Sequence, residues 1–131
     1  MAYLKPSAFT AKISNRIAMR TTLWDVHTLE VARRTSQDTQ QVPVIPVLHD
    51  GQLYVVSTRG EADWVRNVRA AGVVRLGQKG DLADHRVTEV PSPEREAVIA
   101  AYRAKAGREV ATYWKKLPDP ADHPVFRLTP A

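Results

Sequence analysis

Cysteine is missing from this sequence. Its absence removes disulfides, iron–sulfur clusters and cysteine nucleophiles together, and makes a cytoplasmic setting the default expectation. Long hydrophobic runs are missing too. No stretch approaches the roughly 18 apolar residues of a membrane helix, so no integral membrane segment is expected. The mixed polar residues after Met1–Pro6, with Lys12, Arg16 and Arg20, do not read as a signal peptide. Gly-x-Gly-x-x-Gly, Walker and Gly-x-Ser-x-Gly motifs are absent, which argues against a Rossmann site, a P-loop and a serine hydrolase. The histidines, His27, His49, His85 and His123, include no pair three or four residues apart, and no metal site is expected.

What is present is ordinary for a folded protein. The 131 residues are 44% apolar and 25% charged, enough for a single domain over 1–131 with a real core. A net charge of +5 favours an anionic partner. The basic residues read as spread along the chain, adjacent only at Arg33-Arg34 and Lys115-Lys116. With aromatic residues at 7% and no stacking-strand motif, nucleic acid is not an expected partner.

Periodicity divides the chain into helices and strands. Phe9, Ile13, Ile17 and Ala18 fall near helical spacing, predicting an amphipathic helix over Ser7–Met19. Leu23–Val31 reads as a strand, and the polar run Arg33–Gln41 as a loop. Val42–Leu48 and Leu53–Thr58 are strand-like runs joined around Asp50-Gly51, a pair suited to the positive φ angles of a tight hairpin. Apolar residues on adjacent as well as alternate positions suggest a barrel wall covered on both sides. Glu61–Ala71 reads as a helix stopped by Gly72, with Trp64, Val65 and Val68 as its apolar stripe. Val73–Leu76 and Arg86–Val90 follow as a strand pair around Lys79-Gly80-Asp81. Ser92 is placed to cap a helix running to Gly107, its stripe carried by Ala97, Val98, Ala101 and Tyr102. A second helical piece spans Arg108–Lys116, and Val125–Leu128 is a last short strand. About six strands with flanking helices make an α+β fold.

The groups suited to chemistry are cationic and polar. Arg33, Arg34, Thr35 and Ser36 put two guanidinium groups and two hydroxyls on one loop, a set matched to phosphate oxygens. Arg59 sits beside Gly60 just before the helix that carries Trp64, where free amide donors also favour an anion. Solvation is the plain alternative for each cation. Packing is the plain alternative for Trp64, and bracing of a loop for Asn67.

These segments resemble the deazaflavin-dependent nitroreductases. Arg33-Arg34-Thr35-Ser36 is similar to that family's Gly-Arg-(Arg/Lys)-(Ser/Thr)-Gly loop, and the residues from Asp50 to Ser57 to its central hairpin. Asp63-Trp64-Val65-Arg66-Asn67-Val68-Arg69-Ala70 resembles its Asp-Trp-x-Arg-Asn-(Leu/Val)-Arg-Ala helix. The resemblance implies a split β-barrel of the FMN-binding type and the reduced coenzyme F420, whose phosphate, lactate and oligoglutamate tail are all anionic. It implies that Arg33, Arg34, Thr35 and Ser36 hold the phosphate region, that Val44, Ile45 and Pro46 lie along the ring, and that Thr58, Arg59 and Gly60 line the groove. Trp64 and Asn67 match motif positions near the same groove. The implied reaction passes a hydride from F420 to an electron-poor acceptor, a nitroaromatic or an activated alkene, with Thr58, Tyr113 or solvent relaying the proton. FMN is the alternative cofactor, and a non-catalytic ligand-binding barrel the alternative role, as monomer or homodimer. The loop departs from the pattern at Ala32 and Ser36, which replace glycines and require a path without positive φ.

Overall fold

The computed structural model describes residues 26–131. The helix expected over Ser7–Met19, and the start of the strand expected from Leu23, lie outside the described residues. Seven strands and three α-helices follow one another: β1 (His27–Ala32), β2 (Thr39–Val44), β3 (Val47–His49), β4 (Gln52–Val56), α1 (Asp63–Ala71), β5 (Val73–Gln78), β6 (Asp81–Glu89), α2 (Arg95–Ala106), α3 (Ala111–Lys116) and β7 (Val125–Pro130). All pairings are antiparallel, in the order β2-β1-β5-β6-β7-β4-β3.

That order curls the sheet. β2 and β3 occupy its opposite ends, yet only Ile45 and Pro46 separate them in the chain. The three steps from Val44 to Val47 span at most about 11 Å, so the two ends of the sheet adjoin there, at a seam. The result is a barrel open on one side.

Both faces of its wall are covered. Val55 of β4 with Phe126 and Leu128 of β7 packs against Trp64, Val65 and Val68 of α1. The next residues over, Val56 and Val125, pack against Val98, Ile99, Tyr102, Tyr113 and Trp114 of α2 and α3. This is why the strands lack a clean apolar–polar alternation, as the continuous apolar runs suggested. Burial of this kind contributes about 25 cal/mol per Å² of apolar surface.

The tight turns fall where the chemistry placed them. Asp50 and Gly51 have φ of 50° and 75°, and Lys79 and Gly80 have 54° and 79°, the paired positive angles of a type I′ hairpin. Gly72 terminates α1 at φ 73°, its N–H donating to Val68 O. Gly77 is required for a different reason. A Cβ there would stand 1.9 Å from the backbone oxygen of Asp81, and backbone cannot swing aside. Gly77→Ala should therefore destabilise the protein by about 3 kcal/mol, read as a lower urea midpoint; an unchanged midpoint would show the hairpin yielding freely.

Several expectations need correction. Thr39–Gln41 is strand, not loop: these residues pair with Ala32, Val31 and Glu30 of β1. Their polarity reflects an edge strand with an exposed face. The single strand expected over Val42–Leu48 is two strands at opposite sheet ends, broken where Pro46 supplies no N–H for a ladder. The strand pair after α1 is longer than expected, because Leu82–His85 pairs continuously with β5. Ser92 does not cap α2 with its side chain; a 3-10 turn over Ser92–Glu94 intervenes, and the helix starts at Arg95. Ile99 and Arg95 are buried on α2, whereas Ala97 is exposed.

Among the described residues no helix is long and apolar enough to cross a membrane, and no group of three His, Asp or Glu is placed to hold a metal.

Candidate functional site

A cleft lies by the seam. Strand residues Val42, Val44, Ile45 and Val56 line it, together with three aromatic side chains, Trp64 of α1, Tyr102 of α2 and Tyr113 of α3. Thr58 and Arg59, on the turn after β4, also line it. Past Val26, Val42 and Pro43 the space continues into a shallower groove bounded by Thr28, Gln41 and Lys79.

The chain holds these groups from behind. Ser57 Oγ donates to Gly60 O at 2.7 Å, closing the turn that carries Thr58 and Arg59. Gly60 takes φ 77° and is buried. His123 is fully buried, with Nδ1 2.9 Å from Ser57 O and Nε2 2.7 Å from Leu117 O. It stacks on Trp114 at 4.2 Å between ring centroids. One imidazole thus fixes the Thr58–Arg59 turn relative to α3 and Tyr113. Trp64 leans on Phe126 at 6.1 Å, so it is core and cleft wall at once.

Arg59, half-buried, makes no ion pair or side-chain hydrogen bond among the described residues. Its neighbour Glu61 is taken elsewhere. Both carboxylate oxygens of Glu61 accept from Arg69, one at 2.9 Å, and that hydrogen bonding holds the carboxyl below its ordinary range.

The loop between β1 and β2 presents a division of labour. Arg34 is spent on α1: its backbone N–H and Nη1 donate to Asn67 Oδ1 at 3.1 and 2.7 Å, and Nη2 lies 3.4 Å from Asp63 Oδ1. Asn67, buried, returns a bond from Nδ2 to Gln40 Oε1 at 2.7 Å. Arg33 uses its backbone N–H on Asp38 O at 3.0 Å, while its side chain is exposed with no partner among the described residues. Ser36 Oγ accepts from Asp38 N–H at 3.3 Å. No residue of the loop has positive φ, so the glycines replaced by Ala32 and Ser36 are not needed on this path.

Of the sequence candidates, Val44, Ile45, Thr58, Arg59, Trp64 and Tyr113 therefore meet in one cleft. Arg33, Arg34, Thr35, Ser36, Pro46, Gly60 and Asn67 do not line it. Arg34 and Asn67 adjoin it through α1. Pro46 sits behind Ile45, its O accepting from Lys105 Nζ at 2.6 Å.

Tyr102 escapes sequence reasoning as a candidate, because at helical spacing it reads as core. It is buried and lines the cleft. Burial, and then the neighbouring Tyr113, push its hydroxyl well above the usual phenol range, so it keeps its proton. Its raised value also sets a sign for stability. The contribution is complete below the ordinary phenol value of 10.0 and declines as pH rises above it, because the unfolded chain releases the proton first.

A flat heteroaromatic ring with an anionic arm fits this donor set: apolar strand residues, aromatic rings, and a guanidinium with no partner among the described residues. The family described as F420H(2)-dependent quinone reductase matches residues 6–119. Among solved structures, an F420-H2 dependent reductase, FDR-A, aligns at a TM-score of 0.60 and 21% identity, over 80% of this chain and 94% of its own. A FAD-binding protein from Mesorhizobium loti aligns at 0.52 and 19% identity, over 95% and 88%. A protein of the pyridoxinephosphate oxidase family from Clostridium acetobutylicum aligns at 0.56 and 9% identity, over 95% and 86%. At these identities the shared property is the fold, the split barrel of flavin-binding proteins. No curated protein matches the chain.

Proposed function

Because the chain belongs to the F420H(2)-dependent quinone reductase family and is an F420-dependent oxidoreductase, we propose that its cleft holds the reduced coenzyme beside a flat, electron-poor acceptor. A quinone is the first choice. Nitroaromatics and activated alkenes present the same chemistry, an electron-poor carbon conjugated to an oxygen that takes up charge. The observation that carries this reading is one cleft lined by apolar strand residues, three aromatic side chains and Arg59.

When bound, the coenzyme supplies the hydride. The protein supplies position and a proton. Val44 and Ile45 offer the apolar face on which a ring lies, and Pro46 and Gly60 shape the backbone behind it. Trp64 limits the space in the same cleft. Arg59 and Arg33 meet an anionic arm, with the hydroxyls of Thr35 and Ser36 beside Arg33 as neutral donors. Arg34 positions rather than contacts: through Asn67 and Asp63 it ties the loop to α1. The acceptor oxygen gains negative charge as the hydride arrives, and a buried neutral hydroxyl is suited to donate a hydrogen bond to it. Tyr102 fills that role best, with Tyr113 and Thr58 beside it in the same cleft.

The test is reoxidation of reduced F420 by the purified protein with quinones, nitroaromatics and enones, followed by the returning absorbance of the oxidised coenzyme. Turnover fastest with quinones is the expected result. Tight coenzyme binding with no turnover on any acceptor would instead mark a storage or carrier barrel. Tyr102→Phe should lower kcat roughly a hundredfold while leaving the coenzyme dissociation constant unchanged; equal kcat would move the proton donor to Thr58, Tyr113 or water.

A further inference from the structure

Basic residues that look spread in the sequence gather in the fold around the C-terminal end of α2 and the adjoining α3. α2 is the axis. Its first-turn end carries Glu94 and Glu96, and the loop holding Asp119 and Asp122 is fastened there by Arg95 Nη1 donating to Ala121 O at 3.0 Å. Its other end, roughly 17 Å away at about 1.5 Å per residue, carries Arg103 and Lys105, followed by Arg108. α3 packs back alongside: Arg103 lies over the Trp114 ring at 5.0 Å, and Lys115 and Lys116 follow Trp114 directly. All five cations belong to exposed residues. Between residues 103 and 116 there are five Lys or Arg and one Glu, in a chain whose whole net charge is +5.

This cationic end adjoins the cleft, because the same two helices contribute Tyr102 and Tyr113 to its wall. Lys105 marks the junction by bonding Pro46 O, next to Ile45 of the cleft wall. Arg108, Lys115 and Lys116 make no ion pair among the described residues. A net positive field beside a concave, low-dielectric wall extends about 8–10 Å into solution at ordinary salt and raises the arrival rate of an opposite charge.

We propose that the cationic end of α2 and α3 is a landing surface that steers the anionic coenzyme F420 into the cleft, acting on its rate of arrival rather than as a binding contact. The inference rests on the assignment of the cleft to that coenzyme. The phosphate and carboxylates of its tail are the charges on which the field acts, and the ring then enters by its apolar contacts.

Stopped-flow mixing with oxidised F420, followed by quenching of tryptophan fluorescence, separates association from dissociation. The comparison is wild type against the triple variant Arg108→Gln, Lys115→Gln, Lys116→Gln, at several ionic strengths. None of the three residues lines the cleft, and glutamine is helix-compatible. Wild-type association should slow by about tenfold from low to high salt. The variant should associate at least about threefold more slowly at low salt, with a shallower salt dependence and an unchanged dissociation rate. Equal association rates with equal salt dependence would overturn the proposal. So would a change confined to dissociation, because the three cations would then touch the ligand. No quenching in either protein would remove the coenzyme from the cleft, and the steering with it, an outcome distinct from equal rates.

Discussion

Arg95→Ala should cost the protein about 3–5 kcal/mol of stability. Arg95 is the first residue of α2 and is buried, and each nitrogen of its guanidinium has a separate task. Nε donates to Val90 O at 2.9 Å, Nη1 to Ala121 O at 3.0 Å and Nη2 to Glu89 Oε2 at 3.1 Å. Glu89 also accepts from Arg69, at 2.8 and 2.7 Å, and Arg69 continues the chain to Glu61. Alanine would leave two carbonyl oxygens short of a donor and a carboxylate with one cation instead of two. It would also unfasten the loop at Ala121 from α2. Urea unfolding measures the loss directly, and an unchanged midpoint would mean that water replaces the guanidinium at little cost. Arg95→Lys should recover only part, because a single ammonium cannot reproduce the planar fork. The same network gives an acid limb. Glu61 is held below the ordinary carboxyl value of 4.5 by Arg69, so its contribution is present at neutral pH and lost as pH falls from 4.5 through the depressed value.

Arg33→Ala combined with Arg59→Ala should weaken F420 binding roughly a hundredfold or more, at about 1.5–3 kcal/mol for each charged hydrogen bond removed. Each single variant should contribute at least about tenfold. Neither side chain has a partner among the described residues, so the thermal midpoint should stay where it is. Arg34→Ala should behave differently. It removes the bonds to Asn67 and Asp63, so it should lower the midpoint and weaken binding only through the loosened loop. Fluorescence titration alongside thermal unfolding distinguishes the two patterns. If Arg34→Ala weakens binding at full stability while the double variant binds normally, the anionic arm lies against Arg34 and the division of labour on this loop is the reverse of the one proposed.

Local chemistry made most of the fold legible. Asp50-Gly51, Lys79-Gly80 and Gly72 announce their turns because positive φ demands particular residues, and the amphipathic stripe of α1 is set by Trp64, Val65 and Val68. Tertiary context obscured the rest. Thr39–Gln41 is polar because an edge strand needs only one partner, and a polar edge strand has the composition of a loop. The break at Ile45–Pro46 is hidden because both flanking strands are apolar, and only the closing of the sheet puts them at opposite ends. The site divided similarly. Arg59, Thr58, Val44 and Ile45 are adjacent in the sequence to recognisable motifs, whereas Tyr102 and His123 matter through positions that no spacing records. Arg34 could be read as a ligand group because nothing local shows that Asn67, 33 residues away, already occupies it.

The sheet is paired without a gap from β2 round to β3, and what crosses from one end to the other is the covalent chain itself, with Lys105 bonded to Pro46 beside it. In a fully closed barrel, admitting a thicker guest would mean tearing hydrogen bonds from a ladder. Here the two ends of the sheet are held together by the covalent link at Ile45 and Pro46 and by the bond from Lys105 Nζ to Pro46 O. That junction therefore carries no ladder between β2 and β3, and every strand pairing of the sheet is made elsewhere.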